Sequence, residues 1–271
     1  MSDELGNRQK QYEAATDQRC MPLLPTLVRL DGRAFSNLTK KMNLEKPYDQ
    51  RMHDIMDCVT RELVEESNAL VGYTQSDEIT LLLHTDDPRS SIFFDGKIRK
   101  LTSVLAGIAS ARFNLALEAS DIHYPLNCST PCFDCRVWQV PNKVEAVNAI
   151  LWREIDATKN SIQSLARTVY SHNELMNKGR AAQLQMLEDK GIVWGQYPTR
   201  FKKGAYFRRV TYEVSMKNAP GIPEHIRRMA DPNQMVTRSK IVNWDLPPLS
   251  KISNRVEVIF EGAEPETFNE S

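Results

Sequence analysis

Two acidic motifs each follow a short strand-like run. Asp31 comes directly after Thr26–Leu30, and Asp77 lies between the runs Val71–Thr74 and Ile79–Leu83, at the tip of a predicted hairpin. The apolar, β-branched and aromatic residues of these runs favour buried strands. Mg²⁺ prefers carboxylate and phosphate oxygens, and two such ions activate an attacking hydroxyl and stabilise a leaving phosphate. The pattern predicts a two-metal phosphoryl-transfer site, and each motif taken alone also fits a solvated turn.

The elements between residues 26 and 140 must bring these carboxylates together. Helical periodicity predicts a helix over Gln50–Ser67 and a second helix within Phe94–Leu117, and Phe133–Val140 reads as a further strand. The order strand, helix, strand, strand, helix, strand is that of a ferredoxin-like βαββαβ fold, in which the first and third strands are adjacent. We therefore predict an α+β fold, a polymerase palm with additional helices and a C-terminal extension, in which Asp31 and Asp77 lie close together.

The predicted strands and helices divide the chain into two parts. Residues 1–140 form the predicted palm and catalytic core, and residues 141–271 form a helical and basic extension packed on it as one compact unit. Helices are expected over Pro141–Tyr170 and Arg180–Lys190.

Composition limits the function classes. The 271 residues are 41% hydrophobic and 26% charged, which is ordinary for a globular protein, and the formal net charge is zero. Nucleic-acid binding therefore requires a local basic patch. No apolar run approaches a membrane span, and the polar N-terminal stretch has no signal-peptide core. We expect no membrane partner, a cytoplasmic location and reduced cysteines.

Two basic stretches could bind phosphates. Lys100 and Ser103 lie near the start of the second predicted helix, where free backbone amides and a lysine form a phosphate cradle. The segment Arg200–Arg209 places five cations among three aromatic residues, a composition typical of RNA binding. A solvated basic turn and an amphipathic hairpin with a charged face are the respective structural alternatives.

Three cysteines are closely spaced. Cys128, Cys132 and Cys135 form CxxxCxxC, with His123 nearby. These ligand types suit Zn²⁺, but the spacing is not that of a familiar zinc finger, so reduced structural thiols are the favoured interpretation.

An ordered series of motifs resembles one family, that of tRNA-His guanylyltransferase and its relatives, the tRNA-His guanylyltransferase-like 3′–5′ RNA polymerases. The series begins with the motif Arg29–Phe35 and covers most of the chain to Arg209. Its further members are Lys46-Pro47 with Asp49, Tyr73–Glu78, Phe133–Arg136, Trp152-Arg153, Asp156–Ser161, Ser171-His172, Lys178, Gly191-Ile192, Trp194, Pro198 and Lys203-Gly204.

One departure selects a branch of this family. Eukaryotic members that add a guanosine at position −1 of tRNA-His carry His-Ile-Asn where this chain has Thr158-Lys159-Asn160. The resemblance therefore favours the "like" branch, whose members repair truncated tRNA 5′ ends using a template.

The resemblance implies a two-stage reaction. A 5′-monophosphorylated RNA is first activated with ATP, which leaves a 5′–5′ adenylylated end and pyrophosphate. The 3′-hydroxyl of an incoming NTP then attacks that end and releases AMP. The implied cofactor is a pair of Mg²⁺ ions, the substrates are tRNA, ATP and NTPs, and the implied assembly is a homotetramer.

The resemblance also implies roles for individual residues. Asp31, Asp77 and the Gly32 carbonyl are implied as metal ligands, with Glu78 supporting the metals and Ser76 and Lys46 contacting the nucleotide or the activated end. The resemblance further implies two sets of contacts, one for nucleotide and one for RNA, and Gly32 and Ser76 belong to the first set as well. Those for nucleotide are Gly32, Arg33, Ala34, Phe35, Ser76, Lys100, Ser103 and Asn160; those for RNA are Lys178, Arg200, Lys202, Lys203, Arg208 and Arg209.

Three other functions stay open at this point. Guanosine addition specific to tRNA-His is disfavoured by the missing histidine. A palm-fold nucleotide cyclase leaves Lys46 and the Phe133–Arg136 motif without a role. A catalytically silent RNA-binding module conflicts with the intact set of carboxylates, because these would repel phosphates without a metal.

Overall fold

The fold is built from one antiparallel sheet with helices on both faces. The computed structural model describes residues 2–125, 129–229, 231 and 234–268. Within this part of the chain the strands are Thr26–Gly32 (β1), Val71–Gln75 (β2), Glu78–Leu83 (β3), Phe133–Gln139 (β4), Ala205–Ser215 (β5) and Met235–Trp244 (β6). The α-helices are Ser2–Ala14 (α1), Phe35–Lys41 (α2), Gln50–Ser67 (α3), Ile98–Glu118 (α4), Lys143–Val169 (α5), His172–Leu175 (α6), Arg180–Glu188 (α7), Thr199–Lys203 (α8), Glu224–Met229 (α9) and Arg255–Glu261 (α10).

The strand order is β4-β1-β3-β2-β5-β6. The first and third strands are adjacent, as the sequence predicted, and Asp31 lies directly opposite Glu78 in their register. Because β1 ends where the β2–β3 hairpin turns, both acidic motifs lie at one end of the sheet.

Alternation along the strands divides the core between the two faces of the sheet. Val28 and Leu30 face α3 and α4, whereas Leu27 and Leu82 face α5 and α10. Such two-sided packing explains why every residue of β2 and β3 is buried.

Two of the long helices, one on each face of the sheet, begin at side-chain caps. Asn142 accepts a hydrogen bond from the Glu145 amide (2.9 Å) at the start of α5. Asp49 accepts from the Arg51 amide (3.0 Å) at the start of α3, and the Arg51 guanidinium holds the pKa of Asp49 down to about 2. Asp49 also accepts from the Glu45 amide (3.1 Å), which fixes the loop that carries Lys46.

The second half of the chain extends the sheet. β5 pairs with β2 from Val71↔Arg208 to Thr74↔Ala205, and then pairs with β6 as far as Ser215↔Met235. The predicted helical extension was therefore incomplete, because residues 141–268 supply two strands as well as helices. The last residues of β5 project beyond β2 as a two-stranded ribbon.

Candidate functional site

Asp31 and Asp77 are joined through the backbone at the end of the sheet. The Gly32 amide donates to the Asp77 carbonyl (3.1 Å), so the last residue of β1 is tied to the hairpin turn. This bond places the carboxylates of Asp31 and Asp77 within each other's electrostatic field. The structure therefore brings together the acidic pair that the sequence predicted.

Burial and mutual repulsion make both carboxylates costly to ionise. Burial and the charge of Asp31 raise the pKa of Asp77 to about 6. The pKa of Asp31 is also raised, first by burial and then by the charge of Asp134. This end of the sheet thus concentrates negative charge that needs a positive partner.

Glu78 has such a partner. The Arg153 guanidinium, on α5, donates to both carboxylate oxygens of Glu78, with Nε–Oε1 at 2.6 Å and Nη2–Oε2 at 2.8 Å. The two side chains are only 10% and 9% exposed. The pair fixes α5 to the first residue of β3, and it occupies both carboxylate oxygens of Glu78.

The network continues along α5. Arg153 Nη2 also donates to Asp156 Oδ2 (3.1 Å), and Asn160 Nδ2 donates to the same oxygen (3.1 Å). Asn160, a predicted nucleotide contact, is therefore connected to Glu78 through two side chains, those of Asp156 and Arg153. Sequence reasoning gave Arg153 no role, although the Trp152-Arg153 motif contained it.

Asp134 is a second residue that sequence reasoning missed. It lies directly opposite Asp31 in the β1–β4 register, and it is half-exposed beside Arg136 (Nε–Oδ1 3.6 Å). The predicted strand order could have identified Asp134, because the first residues of β4 must lie beside the last residues of β1.

The turns that carry the acidic motifs are backbone outliers. Ala34 and Ser76 have φ of 57° and 49°, in the left-handed region that non-glycine residues seldom adopt. Such conformations cluster at functional sites. Ser76 is exposed and its hydroxyl hydrogen-bonds Asp77, which lowers the pKa of that carboxyl.

The first motif offers backbone and one cation to a ligand. Arg33 is exposed, whereas Phe35 is 2% exposed and packs its ring against Phe113 and Phe133. The Phe35 side chain therefore belongs to the core, and only its backbone can contact a nucleotide. A Cβ on Gly32 would lie 2.6 Å from the Phe35 ring, so glycine is required for this close approach.

Lys46 is exposed in the loop before α3. Its neighbour Pro47 accepts a hydrogen bond at its carbonyl from Ser164 Oγ on α5 (3.3 Å). The loop thus lies along the helix that carries Arg153 and Asn160.

Lys100 and Ser103 lie at the other end of the sheet. The Ile98 amide donates to the Gln18 carbonyl (2.9 Å), so α4 begins beside the segment that leads into β1. The Phe133 amide donates to Ser110 Oγ (3.0 Å), about 18 Å further along α4 and at the acidic end. The start of α4 therefore lies away from the acidic pair of its own chain, and the contact of these two residues with a triphosphate stays a prediction.

The basic segment does not form one RNA-binding face. Arg200 is 12% exposed, and it donates to Asp57 Oδ1 (2.8 Å) and to the Thr74 carbonyl (3.2 Å). Arg208 and Arg209 point to opposite faces of β5, as neighbours in a strand must. Arg208 stacks on Trp244 (4.4 Å), and Arg209 donates to Ser239 Oγ (2.9 Å) and to the Glu65 carbonyl (3.0 Å).

The lysines of this group differ in their surroundings. Lys202 donates to the Gly195 carbonyl (2.6 Å), and burial lowers the pKa of Lys203. Lys178 is exposed between α6 and α7, and it stays a predicted RNA contact.

The residues present fit a divalent cation. Asp31 and Asp77 are hard oxygen donors whose pKa values are raised first by burial and then by neighbouring carboxylates, and a bound cation would favour their charged forms. Across the described ranges no group of three His, Cys, Asp or Glu side chains is placed to hold a metal, since Glu78 is bound to Arg153. A two-carboxylate set suits Mg²⁺, which retains waters and binds substrate phosphates.

Comparison with known proteins matches residues 6–141 to a family model described as Thg1: tRNAHis guanylyltransferase. The chain belongs to the tRNAHis guanylyltransferase family. It is therefore a nucleotidyltransferase of the 3′–5′ type that acts on tRNA 5′ ends, and the family predicted from its motifs is confirmed.

Relatives of this guanylyltransferase-family chain come from viruses and eukaryotes. An uncharacterised protein of Acanthamoeba polyphaga mimivirus is 32% identical over 230 residues, which cover 77% of this chain and 78% of that protein. The tRNA(His) guanylyltransferase of Neurospora crassa is 29% identical over 216 residues, which cover 71% and 69%.

Two solved structures share the fold. A bacterial tRNA(His) guanylyltransferase (Thg1)-like protein in complex with ATP has a TM-score of 0.76 and 27% identity, and the alignment covers 94% of this chain and 98% of that chain. The same kind of protein in complex with GTP has a TM-score of 0.69 and 26% identity, with coverage of 92% and 94%.

No helix within the described residues of this family member has the length and apolar character needed to cross a membrane.

The cysteines within the described residues of this family member form no disulfide. Cys132 and Cys135 are free, and Cys128 lies outside the described residues, so the predicted alternative of a zinc site on all three stays a prediction.

Cys135 is expected to resist alkylation. Burial raises the pKa of its thiol to about 12, and the thiolate is the reactive form. At about pH 8, iodoacetamide should modify Cys135 at least about tenfold more slowly in the folded protein than in urea. Peptide mass spectrometry over time measures this, and equal rates in both conditions would contradict the buried placement.

Proposed function

We propose that this chain is a template-dependent 3′–5′ polymerase, built on a palm, that repairs the 5′ ends of tRNA. The observation that supports it most is the tied pair Asp31 and Asp77, with Glu78 held by Arg153 beside it. Phosphoryl transfer depends on positioning and charge stabilisation, and this end of the sheet offers both.

Asp31 and Asp77 would hold Mg²⁺, with the Gly32 carbonyl as a further oxygen donor. When bound, the two ions would supply positive charge at the reacting phosphate and lower the pKa of the attacking hydroxyl. Ser76, next to Asp77, and Lys46, in the loop along α5, would orient the nucleotide or the activated RNA end. Asn160 would contact nucleotide from a position fixed through Asp156.

The proposed chemistry has two displacements. In the first, the 5′-phosphate of the RNA attacks ATP, forms a 5′–5′ adenylylated end and releases pyrophosphate. In the second, the 3′-hydroxyl of an NTP attacks that end and releases AMP. The chain would thus use ATP, NTPs and tRNA as substrates.

Position 158 supports repair over guanosine addition to tRNA-His. Thr158 stands where the family's histidine would be, and its hydroxyl donates to the Glu154 carbonyl within its own helix (3.1 Å). Residue 158 therefore offers no imidazole to an RNA. The family description itself favours the alternative, guanosine addition, so the test must separate the two.

The test uses two radiolabelled RNAs, tRNA-His without its −1 guanosine and another tRNA without its first nucleotide. Each is incubated with Mg²⁺, ATP and the NTPs. We expect extension of the truncated tRNA that stops at a paired end. A single guanosine added to tRNA-His alone would replace repair by the maturation function.

A silent RNA-binding module is tested by calorimetry with Mg²⁺. We expect binding by the wild type and none by Asp77→Asn, with Asp189→Asn on the exposed end of α7 as the control. No binding by the wild type would support the silent module. A homotetramer and a cytoplasmic location are further parts of the proposal, and light scattering tests the first.

A further inference from the structure

A cavity lies between α3 and α4. Its volume is about 460 Å³, which is within the range of small-molecule pockets. Its walls are one face of α3, within residues 51–58, and one face of α4, within residues 112–119, with Asp121 just beyond the end of α4. It adjoins a smaller cavity of about 350 Å³ whose wall includes Arg200, and Asp54 lines both cavities.

A thiol and a guanidinium meet in the larger cavity. Arg112 Nε donates to Cys58 Sγ (3.2 Å), and this hydrogen bond raises the pKa of Arg112. Glu62 is the other charged group beside Arg112, at 3.7 Å from the same Nε atom. The thiolate is the nucleophilic form of cysteine, and a neighbouring arginine stabilises its negative charge. Cys58 is partly exposed and unbridged, so a ligand in the cavity can reach its sulfur.

The cavity carries opposite charges at its two ends. At the Cys58 end, the two Nη atoms of Arg112 make no hydrogen bond to any described residue, so they can bind a carboxylate. At the other end, Arg51 Nη1 donates to the Asp121 carbonyl (3.4 Å). Among the described residues, no donor binds the Asp121 carboxylate, and Asp54 has one oxygen without a donor. These two carboxylates can bind an ammonium group.

The length of the cavity and its lining define the size of the ligand. Seven residues of α3 separate Arg51 from Cys58, which places the two ends about 10 Å apart. Three extended peptide units span about the same distance. Arg51 is already paired, since Asp49 accepts from its Nε (3.0 Å) and its Nη2 (2.6 Å). Ile55 and Leu115 line the cavity and can pack against the methylene groups of a ligand.

We propose that Cys58 is a modification site that exchanges with a small peptide disulfide of the glutathione type, which the cavity between α3 and α4 binds. The carboxylate next to the ligand's sulfur lies against Arg112, and its distant ammonium group lies against Asp121 or Asp54. The modification needs neither tRNA nor Mg²⁺, so it does not depend on the proposed function.

The exchange is balanced without a further reagent. The Cys58 thiol gives its proton to solvent, and the thiolate attacks one sulfur of the ligand. A disulfide forms between Cys58 and one half of the ligand as the ligand's own S–S bond breaks. The other half leaves as a thiolate and takes up a proton, so Cys58 is oxidised and the leaving half is reduced.

Incubation of the full chain with glutathione disulfide, followed by peptide mass spectrometry over time, tests the proposal. We expect Cys58 to be modified at least about tenfold faster than Cys132, which is also partly exposed, with each rate divided by that of the same cysteine in urea. The variant Cys58→Ser should lose this fastest site. Equal normalised rates at the two cysteines would overturn the proposal.

A second disulfide separates recognition by the cavity from reactivity of the thiol. Bis(2-hydroxyethyl) disulfide has neither carboxylate nor ammonium, and we expect Cys58 to prefer glutathione disulfide to it at least about tenfold after the same normalisation. The double variant Asp54→Asn and Asp121→Asn should lose most of that preference, and Arg112→Gln should slow the reaction with both disulfides. Arg8→Gln, exposed on α1, should change neither rate. Equal rates with the two disulfides, or a preference that the double variant retains, would overturn the assignment of the cavity.

Discussion

Replacing Asp77 with asparagine is expected to reduce both RNA adenylylation and nucleotide addition by about 1,000-fold or more. A carboxylate that holds a metal at the reacting phosphate contributes several kcal/mol, and about 4 kcal/mol corresponds to this factor. Pyrophosphate release measures the first step, and extension of a pre-adenylylated RNA measures the second. Asp189→Asn should retain wild-type rates. Retained adenylylation in Asp77→Asn would exclude a metal centre shared by both steps.

Although Asp77→Asn should lose activity, its folded state should be more stable than that of the wild type at neutral pH without Mg²⁺. The pKa of Asp77 is about 6 in the folded chain and near its ordinary value of 3.8 when unfolded. The unfolded state therefore releases this proton first, and the stabilising contribution present below pH 3.8 is lost as the pH rises to about 6. At neutral pH and without Mg²⁺, Asp77→Asn should melt at a higher temperature than the wild type. Mg²⁺ should raise the melting temperature of the wild type but not that of the variant.

Replacing Arg153 with methionine is expected to lower the free energy of unfolding by about 3 kcal/mol, because it leaves Glu78 buried without its partner. The two side chains are nearly inaccessible and share two short hydrogen bonds. Urea denaturation measures the loss. The Arg153→Met substitution should also reduce activity, since Arg153 anchors Asp156 and thereby Asn160.

A double-mutant cycle separates the pair from general damage to α5. Glu78→Gln combined with Arg153→Met removes both charges, so at least half of the lost stability should return. The exposed pair Arg228–Glu224 (3.3 Å) is a matched control, whose loss should cost less than about 1 kcal/mol. A double variant no more stable than Arg153→Met would show that Glu78 is not the reason for the loss.

The local sequence pattern was sufficient to predict those features that depend on neighbouring residues along the chain. The helix over Gln50–Ser67 was predicted at both ends, because its cap and its apolar face lie within one segment. The adjacency of the first and third strands followed from the βαββαβ order of the elements. From that order, the closeness of Asp31 and Asp77 followed as well.

The sequence pattern did not determine which groups the arginine and lysine side chains contact. A run such as Arg200–Arg209 resembles an RNA-binding surface in sequence, but a strand sends Arg208 and Arg209 to opposite faces. Long side chains then take partners far away in sequence, such as Trp244 and the Glu65 carbonyl. The sequence likewise did not show which end of the sheet α4 starts from, and its first turn, which carries Lys100, lies beside the segment that leads into β1.

The sequence by itself determined the four strands and the main helices up to residue 140, the acidic pair and the family, because strand and helix periods and ordered motifs are local properties. Only the tertiary structure decided that Arg153 holds Glu78, that Asp134 adjoins Asp31, and that Arg200 belongs to a cavity wall. Each of these depends on pairing between segments that are distant in the chain. Such pairing is selected by packing of the whole sheet and its helices, which no single segment encodes.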